Sequence, residues 1–292
     1  MPWRRTSQFR RIAMKPLRQR MIDDMKLAGL STKTQQLYTE AVYGLAKHYM
    51  RSPDQLSEKD IRAYLLYLKE EKQLADGTLR ICYYGVRFFY VNTLRREWPV
   101  FKLVRSPRKR RLPTILSLGE VKDLLGQVNI QRNRMCLTLI YACGLRISEA
   151  TKLRVWDIDS KRMVIKIQGK GQKDRLVPLP RPILFKMREY WKIERSKTWL
   201  FPGHNPEKPV SNNTVRRAMY KAAGECGLKK SIVPHSLRHT YATHLLEQKV
   251  DTRIIQILLG HKHLKTTAIY THLTPQTLEN VQVVLHHLTN DL

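Results

Sequence analysis

Arg146, Lys170, His235, Arg238, His261 and Tyr270 all stand at turns or helix ends rather than along solvated faces. Arg146 follows Gly144-Leu145 inside a mostly apolar stretch, where burying a lone guanidinium is costly. Glu149, three residues on, lies on the same helical face and can hold it. An Arg/Glu pair of this kind also serves as a plain structural ion pair. Pro234-His-Ser-Leu-Arg-His239 opens a helix, with His235 and Arg238 on one face at an end that favours an anion. Gly260-His261 begins a further turn, and Tyr270 follows nine residues later on a short polar segment. Two arginines, two imidazoles, a lysine near a hairpin tip and a phenol suit one substrate chemistry, a phosphodiester. Arginine forks bind its non-bridging oxygens and stabilise the charge of a pentacovalent transition state. A tyrosine oxygen can act as the nucleophile of a covalent intermediate.

His235, His239 and His244, with His261, His263 and His272, invite a metal reading. Their spacing argues against it. No glutamate accompanies them as in H-E-x-x-H, their neighbours are cationic, and separations of four and five spread the first three around a helix. The chemistry is coherent without metal, ATP or any other cofactor.

The elements that must carry these residues can be read outward from them. Apolar residues from Met135 to Cys143 form a buried helix stopped at Gly144. Ser117-Leu-Gly-Glu120 is a capping box ahead of Val121, Leu124 and Leu125. Met163-Val-Ile-Lys-Ile167 and Arg175-Leu-Val-Pro178 flank Gly169-Lys-Gly-Gln172 and predict a β-hairpin. Helices are expected over 181–195, 211–226, 236–248, 251–259 and 275–288, with Pro275 in a first turn. Upstream, Ser31 or Thr32 caps a segment containing Tyr38, Val42, Leu45, Ala46 and Tyr49. Ser57 and Asp60 box another, and Asp76-Gly77-Thr78 breaks the chain before Ile81, Tyr84, Phe88, Val91 and Leu94. The first hundred residues predict four short helices without strands, packed as a small bundle.

The whole chain is 292 residues with a formal net charge of +30 and four cysteines in no C-x-x-C pair. Its mean hydropathy is −0.44 and its isoelectric point about 10.3. That length suggests two domains. No run approaches the ~18 to 20 apolar residues of a membrane span. The amino terminus lacks the apolar stretch of a secretory signal, and the cysteines read as reduced thiols of a cytosolic protein. Such positive excess is the electrostatic footprint of a nucleic-acid binder. The expected organisation is a basic arm at 1–20, a helical domain at 21–101, a basic linker at 102–113 and a second domain at 114–292. Arg105, Arg108, Lys109, Arg110 and Arg111 make the linker suited to tracking a phosphate backbone.

Cys143-Gly-Leu-Arg-Ile-Ser-Glu-Ala150, Gly169-Lys-Gly171, His235-Ser-Leu-Arg-His239 with Ala242-Thr-His-Leu245, and Leu259-Gly-His261 to Thr267-Ala-Ile-Tyr270 resemble the successive boxes of the tyrosine recombinase (phage integrase) family. They stand in the family's order, and the resemblance covers nearly the whole chain beyond about residue 20. It implies a mainly α protein: a SAM-like bundle that binds core DNA, then an α-rich catalytic domain with a small antiparallel sheet. By the same resemblance Tyr270 attacks the scissile phosphate, leaving a 3′-phosphotyrosyl enzyme and a free 5′-hydroxyl. Arg146 and Arg238 clamp the phosphate, with Glu149 orienting Arg146. His235 acts as base and phosphate ligand, His261 donates a hydrogen bond, and Lys170 protonates the leaving oxygen. Lys173 is the rival for that last role, but the pattern favours the lysine between glycines. The implied partners are double-stranded recombination sites and a homotetramer on two duplexes, with helix 275–288 docking in trans rather than packing in cis. The implied setting is the cytoplasm, on the nucleoid.

The expected task is integration of a mobile element, in keeping with the basic arm. Xer-type dimer resolution is the alternative, because no separate arm-binding domain is evident. The short span between Lys170 and His235 leaves little room for the extra helical insertion of integron integrases. A type IB topoisomerase shares the nucleophile and is a further rival, as is a DNA-binding module that has lost catalysis.

Overall fold

The computed structural model describes residues 5–103, 113–168, 174–260 and 275–290, with side chains over 16–103, 113–168, 174–260 and 280–290. The chain divides into two compact units, Met1–Arg111 and Leu112–Leu292.

In the first unit, helices α1 (Arg5–Leu27), α2 (Thr32–Tyr49), α3 (Glu58–Glu70), α4 (Asp76–Phe88) and the short α5 (Val100–Leu103) surround one apolar core. Local chemistry sets their starts. The Ser31 hydroxyl accepts from the Thr34 amide, and Ser57 and Asp60 close a reciprocal box at α3. Met21 and Met25 from α1, Leu45 from α2, Ile61 from α3 and Val86 from α4 are essentially unexposed.

Two expectations shift here. The segment expected as an arm ending at residue 20 continues without a break into α1, whose last turns carry Met21 and Met25 into the core. Asp76-Gly77-Thr78 is the first turn of α4 rather than a break ahead of it. Asp76 sits where a negative charge complements the helix dipole, so the reversal lies just upstream. Past Phe88 the helix widens into a π turn at Phe89–Thr93. It buries Phe89 and Tyr90, and the Tyr90 hydroxyl donates to the Pro53 carbonyl.

The second unit is built around α7 (Gln131–Ala142), buried from Met135 to Ala142. Around it pack α6 (Leu118–Gly126), α8 (Ile147–Ala150), α9 (Arg181–Glu194), α10 (Asn212–Glu225) and α11 (Pro234–Glu247). The Ser117–Glu120 box starts α6, and Pro234 occupies the first turn of α11.

The hairpin is present, with β2 (Val164–Ile167) antiparallel to β3 (Arg175–Pro178) and Ile165 opposite Val177. A two-residue strand, β1 (Ile158–Asp159), pairs with β2 on its other edge, giving the sheet order β1-β2-β3. Two residues are too few for an alternating pattern to register, so the sequence carries no signal for it. Helix α12 (Thr252–Leu259) packs on α11 and β3.

Helix α13 (Pro275–Thr289) packs in cis against α7, α9 and β3. Its Val281, Leu285 and Leu288 lie in the same core, with Val284 half-buried beside them. Leu278, expected in the same strip, falls among side chains outside those described. No described helix is long and apolar enough to cross a membrane.

Candidate active site

The chain leaves α7 through Gly144 with φ +59°, a left-handed conformation that glycine adopts without a Cβ penalty. A Cβ there would lie 2.5 Å from the Tyr241 ring, so glycine also permits the contact between this turn and α11. The Gly144 carbonyl thereby faces α11 and accepts from Arg238 Nη1 at 2.6 Å. Two residues on, Arg146 occupies the N-cap of α8.

Glu149 sits at the third position of α8 with only 10% of its side chain exposed. Its Oε1 accepts from Arg146 Nη1 at 2.7 Å, and its Oε2 accepts from the Arg146 amide at 2.8 Å. The pairing expected from the three-residue spacing is therefore present, and the carboxylate also closes the helix start. Arg146 Nη2 reaches the Gly260 carbonyl at 3.3 Å, while 39% of its side chain stays exposed.

Arg238 is 2% exposed. Its Nη1 lies 3.8 Å from Glu149 Oε2, and its Nη2 donates to the Leu259 carbonyl. Burial, and next the like charge of Arg146, lower its pKa to about 10, with Glu149 opposing. The group stays protonated at neutral pH. Burial alone would raise the Glu149 carboxyl, but hydrogen bonds and charge from Arg175 and Arg146 outweigh it and hold the group at about 2.

Arg175, at the start of β3, was not among the residues expected in the site. It forks onto the same carboxylate, Nη1 to Oε1 at 3.0 Å and Nη2 to Oε2 at 2.8 Å. The signal that could have found it is the one that singled out Arg146, an arginine entering a buried element and needing a partner. Three guanidiniums thus converge on one carboxylate, an excess of two positive charges. A phosphodiester carries one negative charge, and the phosphorane formed when a nucleophile adds carries two. The cluster's excess charge suits that transition state.

His235 lies on the first turn of α11, exposed, one helical turn before Arg238. Its ring meets His239 edge-on with centroids 4.5 Å apart. Burial, then Arg238, lower the His239 pKa, which favours the neutral imidazole.

His244, weighed with these two as a metal ligand, is instead built into the core. Its Nε2–H donates to the Leu116 carbonyl at 3.0 Å, so Nδ1 accepts from the Tyr141 hydroxyl at 2.9 Å. Among the described residues no group of three or more His, Cys, Asp or Glu could hold a metal ion. The structure therefore brings together Arg146, Glu149 and Arg238, with His235 one turn away. Lys170, its rival Lys173, His261, Tyr270 and the linker residues Arg105, Arg108, Lys109, Arg110 and Arg111 lie outside the described residues.

Residues 115–277 match the phage integrase family, and residues 17–100 match the N-terminal SAM-like domain of phage integrases. A Sinorhizobium fredii protein whose name describes it as an integrase/recombinase (y4qK) is 46% identical over 265 residues, spanning 90% of this chain and 86% of its own. The tyrosine recombinase XerD of Yersinia pestis is 30% identical over 292 residues, spanning 93% and 97%. Among solved structures, the XerH site-specific recombinase in its pre-cleavage complex with difH substrate is similar with a TM-score of 0.58. It is 25% identical, over 77% of this chain and 70% of that one. The lambda integrase(75-356) dimer bound to a COC′ core site shares the fold with a TM-score of 0.69 at 17% identity, over 85% and 94% of the two chains.

Proposed function

This chain belongs to the phage integrase family of tyrosine recombinases and catalyses site-specific DNA cleavage and rejoining, and we propose that it does so through Tyr270 at the three-arginine cluster. The observation that carries this reading is the convergence of Arg146, Arg175 and Arg238 on Glu149, an excess of two positive charges at a partly open arginine. The Tyr270 oxygen attacks phosphorus, forming the P–O(Tyr) bond as the bond to the 5′-oxygen breaks. Arg146 and Arg238 hold the non-bridging oxygens, and His261 donates to the same phosphate. His235 takes the phenolic proton, and Lys170 supplies one to the departing 5′-oxygen. A free phenol titrates near 10, so attack at neutral pH depends on these neighbours. Each step exchanges one phosphoester for another, which lets a different 5′-hydroxyl reverse the reaction and complete strand exchange. The residues needed for both proton transfers belong to the chain itself.

The substrate is double-stranded DNA carrying recombination sites; the similar XerH structure holds a difH substrate. The linker residues Arg105, Arg108, Lys109, Arg110 and Arg111 track the phosphate backbone, and the basic residues within 1–20 add to the same electrostatic attachment. Four protomers on two duplexes complete the reaction. For this, the apolar strip of α13 leaves its own core and fills the equivalent site of a neighbour.

The biological task is integration of a mobile element by a cytoplasmic protein acting on nucleoid DNA. The resemblance to XerD favours dimer resolution as the second reading. Sequencing the DNA ends trapped on the protein in its host decides between them. Ends at one chromosomal or plasmid locus mean resolution, and ends at element boundaries mean integration.

Arg146→Ala tests the site itself. It should slow covalent adduct formation by about 10²-fold or more while DNA affinity in a filter-binding assay changes little. An equal loss of both would contradict the assignment.

A further inference from the structure

Glu149 is held twice. Arg146, from its own helix, is the partner expected from sequence. Arg175 comes from a strand 26 positions away and binds both oxygens as a fork. The third nitrogen of Arg175, Nε, donates to the Leu258 carbonyl at 3.2 Å. That carbonyl directly precedes those of Leu259, which accepts from Arg238, and Gly260, which accepts from Arg146. We propose that Arg175 is a positioning residue for DNA cleavage: it ties Glu149 to the end of α12 so that Arg146 and Arg238 face a single phosphate.

The inference rests on the reading of the site given above and assigns Arg175 no contact with DNA. Its three contacts occupy all three guanidinium nitrogens, and only 12% of its side chain is exposed, against 39% for Arg146. The end of α12 is shaped to admit it. Gly260 has φ +61°, and a Cβ there would lie 3.0 Å from Arg175 Cδ and 3.2 Å from Nε. A side chain at that position would push Arg175 away from Leu258.

Arg175 also opens β3 opposite Ile167, five positions after Lys170 in sequence. One side chain therefore joins the hairpin, the first arginine's helix and the turn that leads towards His261. A lysine keeps the charge but cannot make the planar two-pronged contact. Charge and geometry can thus be separated by substitution.

The probe is a nicked duplex carrying the sequence recovered from covalent complexes of the wild-type protein. Adduct-forming rate and dissociation constant are measured for wild type, Arg175→Lys, Arg175→Met, Glu149→Gln and the Arg175→Met/Glu149→Gln double variant, each normalised to folded protein by thermal melting. Misplacing a catalytic group by an ångström costs on the order of 10²-fold. Both Arg175 variants should lose about that much in rate while the dissociation constant moves less than about threefold. The double variant should be no slower than the slower of its two parents, because the two residues act as one unit.

Arg175→Lys with a rate within about threefold of wild type overturns the inference. So do single effects that multiply in the double variant, or a rate loss matched by an equal loss of DNA affinity or folded protein. A wild-type adduct joined to a residue other than Tyr270 overturns the reading of the site, and this inference with it. The wild-type control therefore distinguishes the two failures.

Discussion

Glu149 is one negative charge shared by three arginines, and its ionisation is coupled to folding. Its folded pKa, about 2, lies below its ordinary value of 4.5. Its contribution to stability is therefore complete above about pH 4.5 and lost as pH falls through the folded value. The difference corresponds to at most roughly 3 kcal/mol. The folding stability of Glu149→Gln should accordingly fall less steeply than that of wild type between pH 5 and 3, as read from denaturant midpoints. Parallel pH curves for the two proteins would mean that the carboxylate is not held as described.

At this scale the sequence was informative about residue type and local spacing. Arg146 and Glu149 are three residues apart on one helix, so their pairing follows from helical geometry. Arg175 reaches the same carboxylate only because the hairpin folds back on α8, and no local spacing encodes that return. Nor could the histidine pattern alone assign His244 to the core. Its partners, Tyr141 and Leu116, come from elements more than a hundred residues upstream.

At the scale of elements, the best-read boundaries were those whose chemistry is complete within four residues. Ser31, Ser57 with Asp60, Ser117 with Glu120, and Gly144 each satisfy or terminate a helix end without help from distant chain. Strand β1 is too short to leave a pattern. Helix α1 crosses the expected arm boundary because a run of basic residues signals solvation and says nothing against a helix. The apolar strip of α13 is a further instance. Amphipathicity shows that a face is covered but does not name the cover.

In the single chain that cover is α7, α9 and β3, with Leu285 fully buried. Exchange onto a neighbour needs this helix to leave the core on assembly. A photo-crosslinking group placed at Leu288 should therefore give intramolecular products in free protein and protomer-to-protomer products on DNA carrying paired sites. Intramolecular products alone in both conditions would contradict docking in trans.

For the whole molecule, the decisive property is the combination of a +30 charge with three arginines gathered on Glu149. The charge supplies attachment to any duplex, with an affinity that falls steeply as salt rises. It carries no chemistry and distinguishes no sequence. The division into two units places a bundle matching the SAM-like domain before the unit that holds the cluster. The basic, proline-containing stretch at 102–113 signals a boundary in the chain but does not say which unit carries the cluster.

Cleavage itself requires a nucleophile, and the proposed one is the Tyr270 phenol. The most direct test is proteolysis of the covalent protein–DNA complex followed by mass spectrometry of the nucleotide-bearing peptide. A 3′-phosphate on the Tyr270 oxygen is expected, with no adduct from Tyr270→Phe, which should still bind the duplex. A nucleotide joined to any other residue, or an undiminished adduct in Tyr270→Phe, would contradict it.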